Sequence, residues 1–207
     1  MHDTANWRLV CLIALGAFAG LSVAAFAAGL LPGDLPVRQE FVQESGSLAY
    51  EIARLVDPAG TWIVLLPASL VLFALSAEAR RGWWLWTAIL AGSSLIEHIS
   101  KFVVGRPRPS GFALGFPSGH STAVATFAVV LIYILSRERI GAVSRWALCA
   151  LALATMLLVG WARIALRAHW PTDVLGGFLL GIGCAAAGAW WESARRDAAR
   201  SRAARRA

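Results

Sequence analysis

The chain has 207 residues, 58% hydrophobic and only 15% charged, with a formal net charge of +7. A soluble domain carries about a quarter charged residues, so this sequence lacks the polar surface to clothe a soluble bundle and reads as a membrane protein. Cys11, Cys149 and Cys184 all fall in apolar runs, none at ligand spacing from another Cys or His, which argues against a disulfide framework and a structural zinc site.

Six apolar runs follow one another. The first, Leu9 to Leu31, is long enough to cross a bilayer. It is read as a retained span; Ala25-Phe26-Ala27 offers the alternative of a cleaved signal over residues 1–28. Residues 32–60 form the longest polar connection, with Asp34, Glu40, Glu44, Glu51 and Asp57 against Arg38 and Arg54. Pro32-Gly33 and Pro36 stop the first helix. Leu48, Ile52, Leu55 and Val56 then recur at helical spacing and predict a short amphipathic helix near the membrane surface, a packed connector rather than a lid.

The second run, Thr61 to Ala77, contains Pro67, a kink position that transmembrane helices tolerate. Trp83, Trp84 and Trp86 read as an interfacial aromatic belt. The third run continues to about Val104 and carries Glu97, His98 and Lys101 near its end; Glu97 and Lys101 stand four apart, as a helical ion pair would. Three Gly and three Pro between Gly105 and Pro117 predict no regular helix there. The fourth run is His120 to Ser136, the fifth Trp146 to about Leu166, and the sixth Thr172 to Trp191. Pro171 suits the first turn of that last helix. Its glycines at 176, 177, 181, 183 and 188 predict close helix packing.

The fold class expected is therefore all-α: a polytopic membrane protein of six transmembrane helices. It forms a single domain over residues 1–207, with a core at about 61–192 and a basic tail at 193–207. Six spans place both termini on one side. With the termini cytoplasmic, twelve of the 19 Lys and Arg lie inside, six of them in the tail at 195, 196, 200, 202, 205 and 206. The positive-inside rule then favours cytoplasmic termini. The tail is read as a membrane-side anchor, not a nucleic-acid arm. The small size and absence of extra domains point to a bacterial inner membrane.

This topology gathers three polar islands on the outer face: Lys101 to Pro109, Pro117 to His120, and Arg163 to Asp173. They hold the groups needed to bind and attack a phosphate. Lys101, Arg108 and Arg163 supply cations, with Arg106 and Arg167 in reserve. Ser118-Gly119 supplies a hydroxyl and a close backbone N–H before a helix start. Two histidines divide the chemistry between attack on phosphorus and protonation of the leaving group. His169 has Asp173 four residues on, an orienting carboxylate; His120 has no carboxylate near it in sequence. Spacing alone leaves the two roles open. No two of His98, His120 and His169 share a helical i, i+4 spacing, so a metal site is disfavoured, and no metal or cofactor is expected.

Read together, K-x6-R-P (Lys101, Arg108), P-S-G-H (Pro117 to His120) and R-x5-H-x3-D (Arg163, His169, Asp173) resemble the signature of the type 2 phosphatidic acid phosphatase superfamily, membrane lipid phosphatases related to vanadium haloperoxidases. The resemblance implies a six-helix, metal-independent phosphatase. It makes His169 the nucleophile oriented by Asp173, His120 the general acid, and Lys101, Arg108, Ser118, Gly119 and Arg163 the phosphate cradle. That family's third motif opens on Ser, where this chain has Ala162, so one hydroxyl contact is lost. The function expected is removal of phosphate from a lipid phosphate or diphosphate, such as undecaprenyl diphosphate, phosphatidylglycerol phosphate, phosphatidic acid or a lipid A phosphate, through a phosphohistidine. The alternatives are phosphotransfer between lipids and a non-catalytic phospholipid-binding relative. The expected partners are the lipid substrate and the bilayer, with no nucleic acid; the oligomeric state is open.

Overall fold

The structure is a computed structural model that describes residues 2–111 and 114–205. Arg206 of the basic tail, and Phe112 and Ala113 of the Gly/Pro-rich stretch, lie outside the described residues. The chain runs α1 (His2–Ala28), α2 (Asp34–Phe41), α3 (Leu48–Val56), a 3-10 turn (Asp57–Gly60), α4 (Trp62–Leu75), α5 (Ala77–Arg81), α6 (Trp83–Val104), α7 (Gly119–Arg137), α8 (Ala142–Ala165) and α9 (Pro171–Ala204). No strand occurs among the described residues.

Among the described residues five helices, α1, α6, α7, α8 and α9, are long and apolar enough to cross a membrane. The second apolar run departs from expectation. At 14 residues α4 is roughly 21 Å long, short of a hydrocarbon core of roughly 30 Å. It counts as a sixth span only together with α3 and the 3-10 turn, from which it bends by 54°. Helix α4 continues through Pro67; the break falls at Gly60-Thr61 instead.

Helix α9 is the central post, packed against α1, α6, α7 and α8. Its glycines make that possible. A Cβ at Gly177 would lie 2.6 Å from the Ser118 carbonyl oxygen, and one at Gly181 would lie 2.5 Å from that of Thr122. Backbone therefore rests on backbone along α7, as small residues allow in membranes. The Thr126 hydroxyl, buried on α7, lies 3.1 Å from Ser93 Oγ of α6. Apolar side chains such as Ile13, Phe26, Leu75, Phe102 and Trp146 point outward, the inverse of a soluble bundle. Trp83 and Trp84 are exposed as a belt would be, but Trp86 is buried in the core beside Tyr133 and Ile134.

The two ends of the bundle differ. At one end Thr4 donates to Asp197 at 2.8 Å and Arg196 to Glu78 at 2.6 Å, which places the start of α1 beside the far part of α9. The basic tail, expected at 193–207, continues α9 as helix to Ala204. The end of α6 and the starts of α7 and α9 meet at the opposite end, with the connection between α1 and α4 folded over them. Helix α3 is the predicted amphipathic connector. Ala53 is buried against Ala162 and Ala165 of α8, while Leu48 and Leu55 are exposed.

Candidate active site

Lys101 stands one turn from the end of α6, which stops at Gly105 in the left-handed conformation (φ 63°). Its ammonium pairs with Glu97, a buried carboxylate that also lies 2.7 Å from His98 Nδ1. His98 is exposed. Glu97 further explains Gly119: a Cβ there would come within 2.9 Å of Glu97 Oε1. Glu97 therefore fixes Lys101 and lies against the first turn of α7.

The two arginines of the Arg-Pro repeat part company. Arg106 is buried, and its guanidinium pairs with Asp34 and donates to Asp173 Oδ1 at 2.8 Å and Thr172 Oγ1 at 2.6 Å. Arg108 is half-buried and close enough to act on the charge of His169. The residue that spacing selects, Arg108, is thus the one left to the site, while Arg106 is held in a structural network.

At the start of α7, Ser118 is the N-cap and accepts from the Ser121 hydroxyl at 3.0 Å. The Ser118 N–H is committed to the Asp173 carbonyl at 2.9 Å. Gly119 and His120 open the helix, where backbone N–H groups have no acceptor within their own helix. His120 Nε2 lies 3.7 Å from Asp57 Oδ2.

The end of α8 delivers two more groups. The Arg163 carbonyl accepts from both Ala168 N (3.0 Å) and His169 N (3.1 Å), and Arg167 takes a left-handed conformation (φ 60°). This is a Schellman closure with Arg where glycine is usual. The turn ties His169 to the backbone of Arg163. The Arg163 guanidinium donates from Nη1 to Asp57 Oδ1 at 2.6 Å, while its buried Nε meets no acceptor among the described residues. That donor suits an anion. Arg167, the other reserve cation, is exposed. Ala162 is buried against Ala53 of α3, so the position where the family carries Ser faces an apolar contact.

His169 is buried just before α9, its Nδ1 3.3 Å from Asp173 Oδ2. Asp173 Oδ2 also accepts from the Trp170 N–H at 3.0 Å, so one carboxylate caps the helix and holds the imidazole. Burial lowers the His169 pKa below its ordinary range, and Asp173 opposes that only in part. With Nδ1 turned to the carboxylate, Nε2 is the nitrogen left for chemistry. Lys101, Asp57, Arg163 and His169 all lie close enough to His120 to act on its charge.

The geometry thus brings together all eight residues picked from sequence: Lys101, Arg108, Ser118, Gly119, His120, Arg163, His169 and Asp173. It adds three acidic residues that sequence reasoning left outside the site: Asp57 and Asp34 in the connection between α1 and α4, and Glu97 in α6. The pairing of Glu97 with Lys101 was legible from their spacing. Nothing local marked Asp34 or Asp57, each over 70 residues from its arginine.

Residues 110–197 match the PAP2 superfamily. The PAP2 segment contains the second and third motifs, and Lys101 and Arg108 lie just before it. Among curated relatives, the chain is 31% identical over 116 residues to a lipid A 1-phosphatase of Rhizobium etli, covering 48% of this chain and 45% of the relative. It is 28% identical over 134 residues to an undecaprenyl-diphosphatase of Sulfolobus acidocaldarius, covering 59% and 60%. The match thus spans about half the length of these relatives. Among solved structures, a transmembrane PAP2-type phosphatidylglycerolphosphate phosphatase from Bacillus subtilis superposes with a TM-score of 0.73 over 93% of this chain and 97% of its own, at 24% identity. At that identity the likeness is one of fold.

Proposed function

We propose that the protein is a membrane lipid phosphatase that removes phosphate from a lipid phosphate or diphosphate, without a metal, through a phosphohistidine at His169. The observation that carries this is the convergence of two histidines with Lys101, Arg108 and Arg163 at one end of an apolar bundle, one histidine backed by a buried carboxylate. The relatives' names support lipid A phosphate, undecaprenyl diphosphate and phosphatidylglycerol phosphate as the classes to test.

In this reading Lys101, Arg108, Arg163 and the N–H groups opening α7 hold the phosphoryl oxygens, whose charge spreads in the transition state. His169 Nε2 attacks phosphorus. The P–O bond to the lipid breaks as His120 gives its proton to the leaving oxygen. His120, now neutral, takes a proton from water; the hydroxide attacks the phosphohistidine, the P–N bond breaks, and inorganic phosphate leaves. Asp173 holds the His169 ring and balances the positive charge that forms on it. The site faces the outer leaflet and the termini lie in the cytoplasm.

The test is phosphate release in detergent from dioctanoyl phosphatidic acid, dioctanoyl phosphatidylglycerol phosphate and farnesyl diphosphate, with EDTA and vanadate controls. The expected result is EDTA-resistant, vanadate-inhibited turnover that His169→Ala abolishes. Turnover at the normal rate in that variant would sink the mechanism, and loss of activity in EDTA would sink its metal independence.

A further inference from the structure

Asp173 is bound on both sides. One oxygen meets His169 and the Trp170 N–H; the other accepts from Arg106 Nη1 at 2.8 Å. The same guanidinium grips Asp34 with its other terminal nitrogen. Asp34, in turn, accepts from the Thr172 N–H at 3.0 Å, the Thr172 hydroxyl at 2.8 Å and the Leu31 N–H at 3.0 Å. Arg106, Asp34 and Asp173 are all almost fully buried. Asp34 therefore clamps the first turn of α9 and the guanidinium at once.

Buried charges are costly unless they are balanced. Here two carboxylates face one guanidinium, which leaves one negative charge uncompensated within the trio. The imidazole of His169, 3.3 Å from Asp173 Oδ2, touches that charge directly and becomes cationic when its Nε2 bonds to phosphorus. A purely structural pair would need only one carboxylate. From this geometry we infer that Asp34 and Arg106 are positioning residues for the nucleophile, fixing Asp173 and supplying the excess negative charge that favours the cationic form of His169.

This rests on the reading of His169 as nucleophile, and it makes signed predictions. The charged groups that face His169 are Asp173 from α9, Arg163 from α8 (itself tied to Asp57), Arg108 from the loop and His120 from α7. Arg106 and Asp34 act on it through Asp173. Asp34→Asn keeps an acceptor for Thr172 but removes a negative charge. It should lower kcat about tenfold, leave KM near wild type and move the acid limb of the rate profile down by about half a pH unit or more. Arg106→Gln removes a positive charge and should move that limb upward.

The experiment measures kcat and kcat/KM against pH for dioctanoyl phosphatidic acid in detergent, using the full-length wild type, Asp34→Asn, Arg106→Gln and His169→Ala. Opposite shifts of the limb in the first two variants support the inference. A folded Asp34→Asn with wild-type kcat and an unmoved limb overturns it, as does a loss of rate with no shift in either variant, which marks a structural role. If Asp34→Asn does not fold, Arg106→Lys decides: it keeps the charge but bridges only one carboxylate. A fall in kcat with KM and the limb held supports the inference, and wild-type kcat overturns it. His169→Ala separates the two readings. Turnover in that variant refutes the phosphohistidine itself; its inactivity alongside an unaffected Asp34→Asn refutes only the positioning role.

Discussion

His169 carries its own pH signature. Burial outweighs Asp173 and lowers its pKa, so the ring stays neutral, as the proposed attack requires, below the ordinary value of about 6.5. The acid limb of kcat/KM is expected under that pH. The sign for stability follows from the same shift. The unfolded chain takes up this proton first, so the contribution is fully present above about pH 6.5 and is lost as pH falls toward the folded-state value. His169→Gln should flatten the fall of Tm between about pH 7 and 5. Asp57 makes a second case. Its carboxylate holds Arg163 at 2.6 Å and competes with any phosphate for that guanidinium. Asp57→Asn should tighten vanadate about fivefold, close to 1 kcal/mol, while slowing turnover because His120 loses its neighbouring carboxylate. An inhibition curve and a rate measured together check both. Sequence patterns exposed the basic and nucleophilic groups of this site because they recur at short spacings. Asp57 and Asp34 carry no such mark, because their partners arrive from other helices.

The helices show how far periodicity reaches. Run length placed α6, α7, α8 and the core of α9 to within a few residues, since an apolar segment in lipid must satisfy its own backbone by helix formation. Length also misled once. The apolar run at 61–77 became a 14-residue helix bent away from α3, and the 3-10 turn between them carries Asp57, which holds Arg163. Two element-level predictions follow from backbone geometry. Gly181→Val would drive a side chain into the α7 backbone, costing about 1–3 kcal/mol or more, seen as a lower Tm and early loss of monodispersity in detergent. Arg167→Gly would remove the penalty of a left-handed side-chain-bearing residue, raising stability by about 1 kcal/mol. Because Arg167 points outward, activity should stay within about twofold.

Across the bundle, the start of α1 and the far part of α9 lie at one end and the polar islands at the other. Reporter fusions at both termini should report the same compartment, the cytoplasm, and a cysteine introduced at Ser110 should react with an impermeant thiol reagent from outside. The reverse labelling would overturn the orientation. The helical class, the number of apolar runs, the convergence of the islands and the candidate site residue types were all legible in the chain, because each follows from local hydropathy and spacing. Motif spacing favours Arg108 for the site, but what Arg106 does instead came from the packed helices, since burying it demands two carboxylates that converge on it from α2 and α9. The same holds for the carboxylate at His120: the closure of α3 over α8 set Asp57 there, and no local pattern encodes that contact.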